Sequence, residues 1–158
     1  MVNSVFSRRR FWLTLTASAS TALVAPTAFA TAAAQKITIY KDPNCGCCTG
    51  WVTHLRRAAF QTTVIEQADL MPLRRRLGVP DEVVSCHTAV VGGYFVEGHV
   101  PMVALRRLLA EKPAARGIAV PGMPVGSPGM EAPDGRIEPY QVLLIGHDGR
   151  TSVFSRHR

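Results

Sequence analysis

Three of the chain's four cysteines fall inside four consecutive positions, Cys45-Gly46-Cys47-Cys48, and that crowding limits what the rest of the sequence can build. In an oxidising compartment four cysteines could make two structural disulfides. Cys47 and Cys48 are adjacent, however, and cannot easily brace two distant segments, while Cys45 and Cys47 are too close for an ordinary staple. A bridge inside the loop with an idle third thiol is the bland alternative. The crowding therefore argues against a disulfide framework and for a domain with its own hydrophobic core, its clustered thiols kept for chemistry.

The compartment decides how those thiols are read. Arg8 to Arg10 precede an uncharged stretch of about 15 residues, Phe11 to Ala25, and Ala28-Phe29-Ala30 has the small-x-small pattern of a signal peptidase site. The stretch is shorter than the roughly 20 apolar residues needed to span a bilayer. Residues 1–30 are therefore expected to be a signal peptide, and residues 31–158 a periplasmic domain with no membrane attachment after cleavage. Ser7-Arg8-Arg9-Arg10-Phe11-Trp12-Leu13 also resembles a twin-arginine signal, although a basic n-region alone satisfies the ordinary export route. Removing three arginines and no acids lowers the net charge from +7 to +4. The remaining charges are scattered, and the densest run, Arg74-Arg75-Arg76, has no aromatic-interleaved stripe beside it. It reads as a solvated helix face and not as a nucleic-acid contact.

The remaining length suits one domain better than two. Lys36 to Tyr40 alternates and is β-branched, so it reads as a strand, and Lys41 to Gly46 reads as a turn. From Cys47 to Phe60 the spacing of Trp51, Val52, Leu55, Ala58 and Ala59 predicts an amphipathic helix with Trp51 and Phe60 in the core. Thr62 to Ile65 is a second strand, and Asp69 caps a short helix over Leu70 to Leu77, ended by Gly78. Strands over Thr88–Val91 and Tyr94–Val96 bracket Gly92-Gly93, and Pro101 opens a helix reaching Glu111. This order, βαβ followed by ββα, predicts an α/β thioredoxin-like fold with the cysteine loop between the first strand and its helix. Pro121 to Gly135 is too rich in Gly and Pro for a regular element, and a loop that long is usually functional or disordered. Tyr140–Ile145 and Thr151–Phe154 predict a closing β-hairpin.

Thiols at a helix N-terminus ionise easily, which suits both redox exchange and metal binding. The third thiol separates the two uses. A disulfide exchanger needs one attacking and one resolving sulfur, whereas a soft metal gains from every added thiolate. Ser85-Cys86-His87-Thr88 enters the third strand, where thioredoxin-like exchangers usually carry a cis-proline, so Cys86 and His87 are candidate ligands. Met123 and Met130, in the Gly/Pro-rich loop, supply thioethers that favour Cu(I) over zinc or hard cations. His99 is a further candidate imidazole and His54 a weaker one. His147 and His157 are expected in solvent, and Met71 and Met102 in helix cores.

The stretch from Tyr40 to Cys48, with Ser85-Cys86-His87-Thr88, Val100-Pro101 and the motif Gly122-Met123-Pro124 to Gly129-Met130-Glu131, resembles the CopG-type copper-resistance proteins across nearly all of the mature chain. The resemblance implies a periplasmic thioredoxin-like core that binds several copper ions bridged by cysteine sulfurs, with a redox or handling role in copper resistance. The matching positions are Cys45, Cys47, Cys48, Cys86 and His87, with Met123 and Met130 in the loop. Four cysteines cannot give several ions separate four-sulfur sites, so a multi-copper centre needs bridging thiolates. The expected partners are Cu(I) ions and other periplasmic copper-handling proteins. Two alternatives stay open. One is a thiol-disulfide or copper oxidoreductase using the Cys45–Cys48 loop; the other is a structural zinc site of Cys45, Cys48, Cys86 and His87, which leaves the methionines without a role.

Overall fold

A computed structural model describes residues 35–158, so the expected signal peptide lies outside the described residues. Seven strands form one mixed sheet in the order β2-β1-β3-β4-β5-β6-β7. The strands are β1 (Lys36–Lys41), β2 (Gln61–Glu66), β3 (His87–Val91), β4 (Tyr94–Glu97), β5 (Gly117–Ala119), β6 (Tyr140–Ile145) and β7 (Thr151–His157). The helices are α1 (Gly46–Arg57), α2 (Met71–Leu77) and α3 (Met102–Glu111), with a single 3₁₀ turn at Asp81–Val83. Among the described residues no helix is long and apolar enough to cross a membrane.

The mixed α/β class and the order β1-α1-β2, then β3-β4-α3, are as expected. The sheet is larger than the four-stranded unit anticipated, because β5 and the closing hairpin extend it. β4 pairs parallel with β5 across α3, and β5 pairs antiparallel with β6. Three residues are too few to show alternation, so β5 carries no periodic signal. Its first residue is nonetheless constrained: Gly117 lies opposite Phe95, and a Cβ there would run into the Phe95 ring and carbonyl.

Strand alternation sends side chains to opposite faces. On one face Ile37, Ile39, Ala89, Val91, Val96, Ile118 and Val142 pack with Trp51, Val52 and Leu55 of α1 and Leu105 and Leu108 of α3 in a single core cluster. Phe95, Ala119 and Ile145 point the other way and pack with Val79 and Val83 in a smaller one. Trp51 and Phe60 are buried as expected. Met102 packs against the main cluster, and Met71 is only half-buried. Pro101 is the N-cap of α3 and not part of its first turn, with extended backbone at φ −65° and ψ 145°.

Two charge expectations need correction. Arg74 is not on a solvated face: it is 7% exposed and ion-pairs with Glu97, which is 0% exposed. It lies on the same helical stripe as Leu70, Leu73 and Leu77, so position outweighs charge here. His157 is not in a solvated tail but in β7, half-buried and stacked on Tyr140 at 5.3 Å. His147 is exposed at the β6–β7 turn.

Candidate metal centre

The cysteine loop is shaped by its turn. The Asp42 carbonyl accepts from Cys45 N at 3.1 Å, and the Asp42 carboxylate accepts from Asn44 N at 2.7 Å. Cys45 then caps α1, its sulfur accepting from Cys48 N at 3.3 Å. That contact satisfies one of the four N–H groups that a helix leaves without an intrahelical partner at its start. Cys48 is fully buried, and Cys45 and Cys47 are half-buried.

Sheet register brings the fourth cysteine to the loop. Lys41, the last residue of β1, pairs with His87, the first of β3, so Cys86 sits where β1 turns into α1. Cys47 Sγ is 3.5 Å from Cys45 Sγ and 3.9 Å from Cys86 Sγ, and Cys48 Sγ contacts the Cys86 carbonyl at 3.8 Å. All four sulfurs lie within 4.8 Å of one another. Cys45 and Cys48 are joined as a disulfide, leaving Cys47 and Cys86 as free thiols. The structure therefore holds the loop in an oxidised form, the arrangement read from sequence as the bland alternative. Cys47 is not idle within it, because it touches sulfur on both sides.

Two buried imidazoles complete the cluster. Cys86 Sγ is 3.4 Å from His87 Nδ1 and 3.0 Å from His99 Nε2, and the three residues offer ligand atoms within 4.8 Å of one another. His99 Nδ1 lies 2.8 Å from the Pro128 carbonyl. A carbonyl only accepts, so the proton is on Nδ1 and the Nε2 lone pair faces Cys86. His87 lies against Trp51 at 4.5 Å and meets His99 edge-on at 5.0 Å, while Trp51 Nε1 donates to the Val100 carbonyl at 2.9 Å. His87 Nε2 is buried with no hydrogen-bond partner among the described residues. The ring nitrogen turned to the Cys86 sulfur is Nδ1, so Nδ1 and not this orphan is the atom placed with the thiols.

The pocket disfavours charge until a cation arrives. Burial, then the neighbouring Cys47, pushes the Cys86 thiol up to about 12. Burial, with His99 and Arg74 adding to it, pushes His87 down to about 3, and burial also lowers His99. Both imidazoles are thus neutral and able to donate lone pairs. A bound cation would invert the thiol's preference and remove the repulsion between crowded thiolates.

The Gly/Pro-rich loop closes over this end of α1. A Cβ on Gly129, whose φ is +89°, would meet the Cys47 carbonyl at 2.6 Å and Trp51 N at 2.7 Å, so only glycine allows the approach. Glu131 Oε1 accepts from Gly129 N at 2.8 Å and pairs with His54 Nε2 at 2.6 Å. His54 therefore ties the loop to α1 and is not among the clustered donors. Met130 is half-buried in this turn. Met123 is 52% exposed, next to Gly122, whose carbonyl accepts from Ser85 Oγ at 2.5 Å. The fold thus gathers Cys45, Cys47, Cys48 and Cys86 in one group and Cys86, His87 and His99 in a second that shares Cys86, keeps Met130 in the covering loop and leaves Met123 exposed.

Comparisons with known proteins identify the family. A family model described as a protein of unknown function, DUF411, matches residues 83–130, which take in Cys86, His87, His99 and the covering loop. No curated protein sequence matches the chain. A solved structure described as copper resistance protein CopG, form 2, is 45% identical, with a TM-score of 0.75 over 79% of this chain and 99% of that one. A second, form 1 of the same protein, is 46% identical, with a TM-score of 0.73 over 77% of this chain and 96% of that one. At this identity over nearly the whole of each solved chain, the protein belongs to the CopG family of copper resistance proteins.

Proposed function

We propose that the protein binds Cu(I) as a cluster of several ions bridged by the sulfurs of Cys45, Cys47, Cys48 and Cys86, and serves copper resistance. The observation that carries this reading is the meeting of four sulfurs within 4.8 Å, joined at Cys86 to two buried imidazoles. Soft thiolates and neutral imidazoles suit Cu(I), and shared sulfurs let four cysteines serve more than one ion. His87 and His99 are the nitrogen ligands, and half-buried Met130, next to the Gly129 that packs on α1, is the thioether ligand. Met123, being exposed, is suited to the first capture of an incoming ion and its transfer from other copper-handling proteins.

The order β1-α1-β2 and β3-β4-α3 supports reading the first part of the domain as a thioredoxin-like unit, extended by β5 to β7. Residues 1–30 are proposed to direct export to the periplasm and to be removed there. An exported chain that still begins at Met1 by mass spectrometry would exclude this. A second reading, a thiol-disulfide or copper oxidoreductase, is favoured by one observation, the Cys45–Cys48 disulfide. Both readings use the same loop and differ in what Cys47 and Cys86 are for.

The deciding experiment is metal analysis of the reduced protein after anaerobic titration. More than one equivalent of tightly held Cu(I) is expected, with the cysteines protected from thiol reagents while copper is bound. A single zinc that survives competition with Cu(I) would overturn the assignment in favour of a structural zinc site.

A further inference from the structure

The segment carrying Cys86 and His87 is held by a buried ion pair that lies outside the donor set. Glu97 ends β4, and Thr88 stands opposite it in the β3–β4 register. Its Oε1 accepts from Arg74 Nε at 3.1 Å, Arg74 Nη2 at 2.7 Å and Ser85 N at 2.8 Å. Its Oε2 accepts from Thr88 Oγ1 at 2.6 Å. Arg74 Nη2 also donates to the Ser85 carbonyl at 2.6 Å. One carboxylate therefore grips the residue before Cys86 and the residue after His87. Further on, Gly98 N donates to the His87 carbonyl at 3.0 Å, so β4 holds the pair from both sides. Taking a guanidinium and a carboxylate out of water is costly, and an apolar pair of similar volume often serves stability as well. The placement is better explained by what the pair fixes.

We propose, building on the copper reading above, that Arg74 and Glu97 are positioning residues for the metal centre. They lock the Ser85–Thr88 backbone so that Cys86 Sγ stays within reach of the cysteine loop, 3.9 Å from Cys47 Sγ. That distance sets whether one ion can be shared between the two segments. Outer-shell residues of this kind are worth about ten- to a hundredfold in metal affinity at other sites.

The test starts from metal-free protein with the Cys45–Cys48 disulfide intact, in which Cys47 and Cys86 are the free thiols. Diamide takes up the two hydrogens as a Cys47–Cys86 bond forms, and mass mapping after acid quench measures the rate. Glu97→Gln and the double variant Arg74→Met/Glu97→Leu are expected to cross-link about tenfold more slowly than wild type. After reduction they should bind Cu(I) about tenfold more weakly. The double variant leaves no unpaired buried charge, so it carries the test if Glu97→Gln does not fold. Thr88→Val keeps the ion pair, removes the hydroxyl that links Glu97 Oε2 and Arg74 Nε, and should slow the cross-link about threefold. A merely structural role would lower the melting temperature without changing the rate in folded protein. Folded variants that cross-link at the wild-type rate would overturn the proposal. If wild type binds no Cu(I) while the variants still slow the cross-link, the positioning role stands and the copper reading falls.

Discussion

Cys47→Ser is expected to lose most of the bound copper while keeping its fold. In a disulfide exchanger Cys45 and Cys48 share the work and a thiol between them is dispensable, or harmful through wrong pairing. In a bridged cluster Cys47 is a full ligand, and its place between Cys45 Sγ at 3.5 Å and Cys86 Sγ at 3.9 Å makes it the sulfur that links the loop to β3. A serine hydroxyl is a hard, weak donor to Cu(I), so stoichiometry should fall to roughly half or less. The fold should barely respond, because Cys47 is half-buried at the first turn of α1 and such a change is usually worth within about 0.5 kcal/mol. Cys86→Ser should fail in the same way, since it also removes the sulfur beside His87 and His99. Anaerobic Cu(I) titration with a competing chelator, alongside thermal melts, measures both effects. Normal copper content in Cys47→Ser, with disulfide reductase activity kept there and lost in Cys45→Ser, would favour the enzyme.

The centre was legible to the extent that its parts lie close in sequence or begin an element. The cysteine loop falls between an alternating strand and a helix with a clear apolar stripe, so its place at the N-terminus of α1 followed from local pattern. That Cys86 and His87 would face the loop followed only from the expected fold, and the β1–β3 register brings them there. His99 was visible as an imidazole, but its orientation depends on the carbonyl of Pro128, far along the chain. Nothing near His99 signals that partner. Arg74 was misread because three consecutive arginines look solvated, although its spacing from Leu70 and Leu77 matches the buried stripe. Glu97 gave a fainter signal, an isolated acid closing a short apolar strand. Its meaning depends on Arg74, Ser85 and Thr88, which a single sequence does not bring together. The chemical state of the loop is of another kind, because Cys45–Cys48 pairing depends on oxidation and the residue order permits both forms.

That state leads to the other large effect. With the Cys45–Cys48 disulfide closed, two of the four sulfurs are bonded to each other and have lost their thiolate charge, and a neutral disulfide sulfur is a poor ligand. Cys47 and Cys86 remain, with the His87 and His99 nitrogens. These can serve a single ion, but they lack the shared thiolates that a cluster needs. Reduction by a phosphine in water gives two thiols and the phosphine oxide, so two electrons restore two ligands. The oxidised protein is therefore expected to hold at most about one Cu(I), and the reduced protein several, with the thiols giving up protons as copper enters. The measurement is copper per chain after identical anaerobic loading of both forms, with phosphine removed beforehand and free thiols counted in each. Addition of a dithiol oxidant to the loaded protein should release copper only as far as the disulfide re-forms. Equal copper in both forms would mean that Cys45 and Cys48 are not ligands, and the cluster reading would then fail at its first two residues.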